Sequence, residues 1–291
     1  MSDATTILTA DGRTLGFEDY GPAGGIPVLW FHGGPGSRLE PAATAAAAAA
    51  IRQRLIGLDR PGYGLSTPWP GRTIAGVVPD ALALADHLDV ENFYAVGVST
   101  GGAYALATAA LAPARVRGVV ACCALTDLRN REIKQQMVAM TDWSRIFNAT
   151  SRDEAMALAV EQFGEDGTKL ANPDQMASQT MTLAPADEKM FADPAYLVAM
   201  MQGLPAMFAW GVQGYADDRL ADGPGWGSFD VGAVGCPVVV LHGEADTICP
   251  VINAHNTAAI VPGAALRLTP DNGHFSVVRH VPEVLAEMIG R

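Results

Sequence analysis

The stretch FYAVGVSTG, residues 93–101, runs from an apolar segment into a turn of small residues and contains the pattern G-x-S-x-G. Residues 93–98 are typical of a buried strand, and the alanine-rich residues 103–111 favour a helix. A serine on a tight turn between a strand and a helix holds its hydroxyl clear of the sheet, and the flanking glycines leave room for neighbouring backbone. The pattern predicts that Ser99 is a nucleophile. The alternative is a glycine-rich turn whose serine caps the helix.

Three further segments place chemically active residues after predicted strands. These segments are VLWF-HGGPG at 28–36, PVVVL-HGEAD at 237–246, and ALRL followed by DNGHF at 265–275. The first supplies a glycine loop with free backbone N–H groups, the second a candidate acid, Asp246, and the third a candidate base, His274. Serine, aspartate and histidine therefore occur in the chain order that is associated with α/β hydrolases.

With these motifs the chain resembles α/β-hydrolase-fold serine hydrolases along nearly its whole length. The loop DRPGYGLS at 59–66 also matches the D-x-x-G-x-G-x-S pattern that recurs in that family. The resemblance implies an α/β fold with a mostly parallel, doubly wound, eight-stranded sheet and an inserted helical cap. The alternation of predicted strands and helices indicates the same class. A hairpin predicted around Asp11 and Gly12 would add an antiparallel edge.

The catalytic roles follow from the weakness of a serine hydroxyl as a nucleophile. It needs a neutral imidazole to take its proton and a carboxylate to orient the ring, and we assign these roles to Ser99, His274 and Asp246. Asp127 is the rival acid, because it follows the predicted strand at 116–123, from which some members of the fold supply the carboxylate. HGEAD resembles the family's acid loop and favours Asp246.

The oxyanion that forms on the attacked carbonyl needs preorganised donors. The backbone N–H of Thr100, the residue after the nucleophile, is expected to be one of them. The resemblance implies that the second is Gly34, the residue that follows His-Gly. We expect His32 to brace this loop by hydrogen bonding.

Residues 127–235 interrupt the alternation of strands and helices. They contain helical segments such as 154–163 and 196–210, no convincing strand and several Pro and Gly breakers. We expect them to form a helical cap inserted into a core of residues 1–126 and 236–291. Nine of the eleven methionines lie between Met137 and Met207. That clustering indicates either a deformable apolar roof over the active site or plain packing between helices.

Composition limits the partners of the chain. The formal charge of −12 argues against nucleic acid and weakly disfavours anionic substrates. No apolar run approaches the roughly 20 residues of a membrane span, and the first residues lack a secretory signal, so we expect a cytoplasmic protein with no membrane partner. The four cysteines lack metal-ligand spacing and are expected to be buried free thiols. We expect no metal or cofactor and a small-molecule substrate, and a homodimer is the assembly to test for.

These features predict a cofactor-independent hydrolase that cleaves an acyl bond, such as a carboxylic ester, through a covalent acyl-enzyme. HGGPG also resembles proline iminopeptidases, although Thr100 stands where those usually carry tryptophan. An aminopeptidase would need carboxylates in the cap for a substrate ammonium, and the candidates are Glu154, Glu161, Asp217 and Asp218. C–C bond hydrolases, cofactor-free perhydrolases and low-turnover small-molecule receptors on the same fold are further alternatives.

Overall fold

The computed structural model describes residues 5–140, 142–171 and 183–290. The strands in these ranges are β1 (Thr5–Leu8), β2 (Thr14–Tyr20), β3 (Ile26–Phe31), β4 (Gln53–Leu58), β5 (Phe93–Val98), β6 (Val116–Cys122), β7 (Ala209–Val212), β8 (Val238–Gly243) and β9 (Ala265–Thr269). The helices are α1 (Ala42–Ala50), α2 (Val78–His87), α3 (Gly101–Leu111), α4 (Arg131–Met140), α5 (Arg152–Phe163), α6 (Thr168–Ala171), α7 (Pro185–Phe191), α8 (Pro194–Met207), α9 (Gln213–Asp222), α10 (Ile252–Ile260) and α11 (Val281–Ile289). Of the helices so described, none combines the length and the apolar character that crossing a bilayer requires.

Eight strands form one sheet in the order β1-β2-β4-β3-β5-β6-β8-β9. β2 pairs antiparallel with β1 and β4, and the other neighbouring strands pair in parallel. The mostly parallel, eight-stranded sheet predicted from the sequence is confirmed, and so is the antiparallel hairpin at its edge. In the hairpin turn, Gly12 has a φ of 83°, a left-handed conformation that glycine adopts without strain.

The sheet is buried on both faces, which is why its central strands are continuous apolar runs. One core cluster packs α2, α3 and α10 against the sheet and includes Leu29 and Phe31 of β3. A second packs α1 and α11 against it and includes Val28 and Trp30 of the same strand. Alternate residues of a strand point to opposite faces, so the two clusters lie on opposite sides of a doubly wound sheet. All four cysteines are free thiols, as predicted, but only three of them are buried, because Cys236 is partly exposed.

The carboxyl ends of four parallel strands meet at one edge of the sheet. Phe31 of β3 lies beside Gly97 of β5, and Val98 of β5 lies beside Cys122 of β6. Cys122 in turn lies beside Leu241 of β8. The loops that follow these residues therefore emerge next to one another, and ligands of open α/β sheets bind at this edge.

Between β6 and β8 the chain folds into α4 to α9, which we call the inserted helices. α5, α8 and α9 contribute to a separate buried cluster that includes Phe163 and Phe208. The expectation of no strand in this region is wrong at β7, where residues 209–212 form a short strand. The helix expected over 196–210 spans Pro194–Met207 and ends before this strand. An inserted cap with the boundaries 127–235 stays a prediction.

Candidate active site

Ser99 occupies the turn between β5 and α3. Its φ of 52° lies in the left-handed region, which is uncommon outside glycine and recurs in strained turns at functional sites. Its backbone N–H donates to Cys122 O at 2.9 Å and ties the turn to β6. A Cβ at Gly97 would collide with the backbone of Gly101, and one at Gly101 would collide with Phe31 O. Close approach of the backbone therefore requires both glycines of the motif.

His274 and Asp246 form a buried hydrogen-bonded pair. His274 Nδ1 lies 2.8 Å from Asp246 Oδ2, while Oδ1 accepts hydrogen bonds from the backbone N–H groups of Ile248 (2.9 Å) and Cys249 (2.8 Å). His242 Nε2 lies 3.3 Å from Oδ2. These contacts hold the carboxylate in one orientation. Because Nδ1 is engaged, Nε2 is the nitrogen of His274 that can exchange a proton with a substrate or a nucleophile.

The charges of this pair stabilise each other. Burial alone would raise the pKa of Asp246, but the charge on His274 and hydrogen bonds from His242 and His274 outweigh it and hold the pKa well below its ordinary value. Burial alone would lower the pKa of His274, but the charge of Asp246 outweighs it and raises the pKa well above its ordinary value. Asp246 is therefore ionised at neutral pH and favours the imidazolium form of His274.

A cavity of about 790 Å³ lies between the sheet edge and the inserted helices, and Ser99, Gly34 and His274 line it. No hydrogen bond joins Ser99 Oγ to His274 among the described residues. Bonds of this kind are often long before a substrate binds and tighten in the Michaelis complex. The fold thus brings Ser99 and His274 to one cavity, with Asp246 behind the histidine, but the serine–histidine hydrogen bond is not formed.

The walls of the cavity are largely apolar. Four of the nine clustered methionines line it: Met137, Met190, Met200 and Met207. Met176 and Met181 lie outside the described residues. Unbranched, polarisable thioethers adapt to ligands of different shape, so these four side chains fit the interpretation of the cluster as an apolar roof.

Two backbone donors near Ser99 are free in the described parts of the chain, one in the glycine loop and one directly after Ser99. Gly33 N–H donates to Glu40 Oε2 at 2.9 Å and cannot serve a substrate oxygen. In the described parts of the chain, Gly34 N–H and Thr100 N–H have no acceptor. A Cβ at Gly34 would lie 2.8 Å from Thr100 Oγ1, so the two residues are adjacent. The two donors predicted from the sequence are thus available and close together, as an oxyanion hole requires.

His32 braces this loop, as predicted. Its Nδ1 lies 2.6 Å from Gly33 O, and its Nε2 accepts a hydrogen bond from Arg60 N–H at 3.2 Å. Burial and the charge of Arg60 lower the pKa of His32 well below its ordinary value. The ring therefore stays neutral and can donate from one nitrogen while it accepts at the other.

Below the loop, a buried ionic network ties α9 to the core. Asp218 of α9 accepts hydrogen bonds from Arg60 and Arg72, each at 2.7 Å, and from the hydroxyls of Tyr63 (2.7 Å) and Tyr104 (2.9 Å). Burial alone would raise the pKa of Asp218, but the charges of Arg60 and Arg72 lower it. The carboxylate is ionised and fully used in holding α9 in place.

The next residue, Arg219, lines the cavity. Its Nη2 contacts Thr100 Oγ1 and lies 2.8 Å from Asp222 Oδ2. Its Cζ lies 4.9 Å from the ring centroids of both Phe147 and Tyr215. A guanidinium flanked by two aromatic rings therefore lies against the side chain of a predicted oxyanion residue.

The rival acid Asp127 is engaged elsewhere. Its carboxylate accepts hydrogen bonds from Arg129 Nη2 at 2.6 Å and from Trp226 N–H at 2.9 Å. It is not among the described residues that line the cavity. These contacts make Asp127 a brace for the loop after β6, and the hydrogen bond to His274 belongs to Asp246.

The four carboxylates considered for a substrate ammonium are also paired away from the cavity. Their partners are Thr150 for Glu154, Arg145 for Glu161, Arg152 for Asp217 and Arg60 for Asp218. None of the four is among the described residues of the cavity wall.

Residues 26–281 match the family model described as the alpha/beta hydrolase fold. The chain belongs to this alpha/beta hydrolase family. The sheet order, the serine turn and the cavity at the carboxyl edge described above are therefore features of a hydrolase family member.

Three similar proteins illustrate the range of this family. The dihydrolipoyllysine-residue acetyltransferase component of the acetoin cleaving system of Pseudomonas putida is 32% identical over 207 residues, which are 69% of this chain but only 55% of that relative. A proline iminopeptidase of Xanthomonas citri is 26% identical over 92% of this chain and 90% of its own length. A thermophilic esterase from Thermogutta terrifontis shares the fold, with a TM-score of 0.68, 24% identity and coverage of 99% of this chain and 97% of that one.

Sequence reasoning did not single out three residues that surround the site of this alpha/beta hydrolase: Glu40, Cys123 and Arg219. Cys123 Sγ, an Asp246 oxygen and a His274 ring nitrogen lie within 4.8 Å of one another, a set of donor types that could hold a metal ion. Burial raises the pKa of the Cys123 thiol well above its ordinary value.

The position of Cys123 directly after β6, at the carboxyl edge of the sheet, could have indicated from the sequence that it lies near the site. Arg219 offered no such indication, because only tertiary packing brings α9 to the cavity.

Proposed function

We propose that this chain is a serine hydrolase that cleaves an acyl bond, such as that of a carboxylic ester, through a covalent acyl-enzyme. The observation that carries the proposal is the 2.8 Å hydrogen bond between His274 Nδ1 and Asp246 Oδ2 beside a cavity that Ser99 also lines. Membership of the alpha/beta hydrolase family and the shared fold of an esterase support it.

The proposed reaction begins when His274 Nε2 takes the proton of Ser99 Oγ as this oxygen attacks the substrate carbonyl. The carbonyl oxygen becomes an oxyanion that accepts hydrogen bonds from the N–H groups of Gly34 and Thr100. His274 then gives its proton to the departing alcohol, while Asp246 stabilises the imidazolium. Water then loses a proton to His274 as its oxygen attacks the acyl carbonyl. The bond to Ser99 Oγ breaks, His274 returns the proton to Ser99 Oγ, and the acid is released. No step needs a cofactor.

We also propose that the inserted helices act as a cap that selects the substrate. Four methionines and several aromatic rings in the cavity wall favour a small molecule with an apolar group. The cytoplasmic location and a homodimeric assembly stay predictions from the sequence.

Proline iminopeptidase activity has weaker support than ester hydrolysis. The HGGPG motif and the Xanthomonas citri relative favour it. However, the four carboxylates that could have held a substrate ammonium are hydrogen-bonded to other residues, as described above. Aminopeptidase substrates therefore belong in the test as a comparison.

The experiment is intact-mass analysis after incubation with a fluorophosphonate, followed by turnover of p-nitrophenyl esters of increasing acyl length. We expect one covalent adduct on the wild-type protein, catalytic release of nitrophenol, and loss of both in Ser99→Ala. Prolyl-p-nitroanilide is the comparison substrate and should be turned over poorly.

The outcomes separate the alternatives. Labelling that persists in Ser99→Ala would contradict the assignment of the nucleophile. Stoichiometric acylation of Ser99 without turnover would indicate a small-molecule receptor instead of an enzyme. Faster cleavage of the prolyl anilide than of every ester would favour the iminopeptidase.

A further inference from the structure

Arg219 carries hydrogen-bonding capacity that the protein does not use. Its side chain is only 3% exposed, yet only Nη2 has partners, Thr100 Oγ1 and Asp222. Nε and Nη1 donate no hydrogen bond to any residue that the structure describes, and Nε is fully buried. Buried polar groups are nearly always satisfied, and a buried charge left without partners costs more still.

Asp222, the counter-ion of Arg219, compensates its charge poorly. Although Oδ2 lies 2.8 Å from Nη2, neither carboxylate oxygen accepts a hydrogen bond within the described parts of the chain. Burial raises the pKa of Asp222 to about 7, even though the charge of Arg219 opposes that change. Asp222 is thus partly protonated near neutral pH. The Arg219–Asp222 pair therefore has a net positive charge, which another anion could neutralise.

The guanidinium lies beside the proposed oxyanion hole. It contacts Thr100 Oγ1, and a Cβ added at Gly34 would lie 3.0 Å from Arg219 Nη2. Both residues that would bind the substrate carbonyl oxygen therefore border Arg219. Phe147 and Tyr215 flank the group, and all three side chains line the cavity that contains Ser99. Anything bound near Arg219 would lie close to the reacting carbonyl.

We infer that Arg219 forms an anion subsite and that the substrate is an acyl compound with a carboxylate close to its scissile carbonyl. The inference rests on the proposed acyl-hydrolase function. A planar guanidinium is well matched to a carboxylate, and a hydrogen bond between charged partners is about twice as strong as one between neutral groups.

Glu40, the acidic residue within the oxyanion loop, does not cancel this subsite. Glu40 lines the same cavity, but its two oxygens accept hydrogen bonds from Trp30 Nε1 and Gly33 N–H. Burial also raises its pKa. The negative charge of the whole chain disfavours anionic ligands only weakly, because the local charge of a buried guanidinium acts at contact distance.

The test compares pairs of ethyl esters that differ only in a terminal carboxylate: monoethyl succinate against ethyl butyrate, with the malonate and glutarate homologues to locate the charge. The wild-type enzyme should favour the acidic partner of at least one pair about 10-fold or more in kcat/KM. In Arg219→Gln this ratio should fall to about 1 or below. Each ratio is taken within one variant, so a general loss of activity does not affect it.

Arg279→Gln is the matched control, because Arg279 lines the same cavity but is exposed. It should keep the wild-type ratio. If Arg219→Gln fails to fold, Arg219→Gln/Asp222→Asn removes both charges together and avoids an unpaired buried carboxylate. A wild-type preference for neutral esters, or an unchanged ratio in the folded Arg219 variant, would overturn the inference.

Failure of the proposed function would look different. In that case neither ester of any pair would turn over, and the fluorophosphonate would not label Ser99. Calorimetric titration with succinate then tests the subsite directly. Binding to the wild type that is lost in Arg219→Gln supports it, whereas no binding, or equal binding to both proteins, rejects it.

Discussion

Gly33 donates its backbone N–H to Glu40 Oε2 at 2.9 Å, within the loop that leads from β3 to the proposed oxyanion hole. The second oxygen of Glu40 accepts a hydrogen bond from Trp30 Nε1 at 2.8 Å. One carboxyl group therefore fixes both the end of β3 and the residue just before Gly34. This makes Glu40 a positioning residue, which acts on catalysis through the loop.

Glu40→Gln should reduce kcat about 10-fold with little change in KM. Glutamine keeps one acceptor oxygen, but its amide NH₂ would face a second donor, so either Trp30 or Gly33 loses its acceptor. A loop that shifts at Gly33 misplaces the N–H of Gly34, and this matters most when the oxyanion forms. Steady-state kinetics with a p-nitrophenyl ester measure the effect.

The control for this variant is Glu188→Gln, which neutralises an exposed carboxylate on α7. It should leave kcat unchanged. An equal loss in both variants, or a Glu40→Gln effect confined to KM, would contradict the positioning role.

The residues that could be found from the sequence are those whose signal is local. The apolar segment before Ser99, its two glycines and the helix former after it all lie within about 20 residues of one another, and each favours the same strand-turn-helix unit. The same holds for Asp246 and His274, each of which closely follows a strand. Because the carboxyl ends of parallel strands meet at one edge of the sheet, the separate local predictions for Ser99, Asp246 and His274 together predict one site.

The residues that could not be found depend on contacts between distant parts of the chain. Arg219 and Thr100 are 119 residues apart, and no periodicity or motif connects them. Glu40 looks like an ordinary polar residue before a helix until the loop folds back on Trp30. The sequence does not predict β7, because this strand has only four residues and lies between the helices α8 and α9.

Asp246→Asn should lower kcat/KM by about 10³-fold to 10⁴-fold. The amide cannot stabilise the imidazolium, and it can favour the wrong tautomer of His274. Activity requires neutral His274, whose pKa Asp246 raises well above its ordinary value. Without this carboxylate the pKa of His274 falls. The residual activity should therefore rise with pH around a midpoint that lies at a lower pH than the wild-type midpoint. A pH profile of kcat/KM measures both changes.

Asp127→Asn is the matched variant at the rival position, and it should retain its activity because Asp127 pairs with Arg129 and Trp226. The reverse pattern, with an active Asp246→Asn and an inactive Asp127→Asn, would transfer the acid role to Asp127.

Gly34→Ala should reduce kcat about 100-fold while the fold is kept. The added Cβ would lie 2.8 Å from Thr100 Oγ1 and 3.0 Å from Arg219 Nη2, so the loop must move and carry the Gly34 N–H with it. Gly24→Ala is the control, because a Cβ there meets nothing within 4 Å. Wild-type kcat in a folded Gly34→Ala would remove Gly34 from the oxyanion hole.

Asp218→Asn should lower the free energy of unfolding by about 3 to 5 kcal/mol, because it leaves the buried cations Arg60 and Arg72 without their carboxylate. Urea denaturation measures the change. Glu161→Gln breaks an ion pair whose carboxylate is 62% exposed, and it should change stability by less than about 0.5 kcal/mol. Equal stability losses in the two variants would show that the network contributes no more than a surface pair.

Asp222→Asn should remove a pH-dependent loss of stability that the wild type shows between pH 5 and 7. Burial raises the pKa of Asp222 to about 7 in the folded protein, whereas the unfolded chain has an ordinary value of about 4. In this window the folded state binds more protons than the unfolded state, so rising pH lowers the free energy of unfolding, by about 1.4 kcal/mol per unit. Asparagine does not titrate. The free energy of unfolding of Asp222→Asn, relative to that of the wild type, should therefore increase by on the order of 2 to 3 kcal/mol from pH 5 to pH 8.

Urea denaturation at each pH measures this difference. The control is Asp153→Asn, on the exposed first turn of α5, whose stability should change with pH as that of the wild type does. A constant difference between wild type and Asp222→Asn across this range would mean that Asp222 is already ionised at pH 5, so that Arg219 is fully neutralised and no longer attracts a second anion.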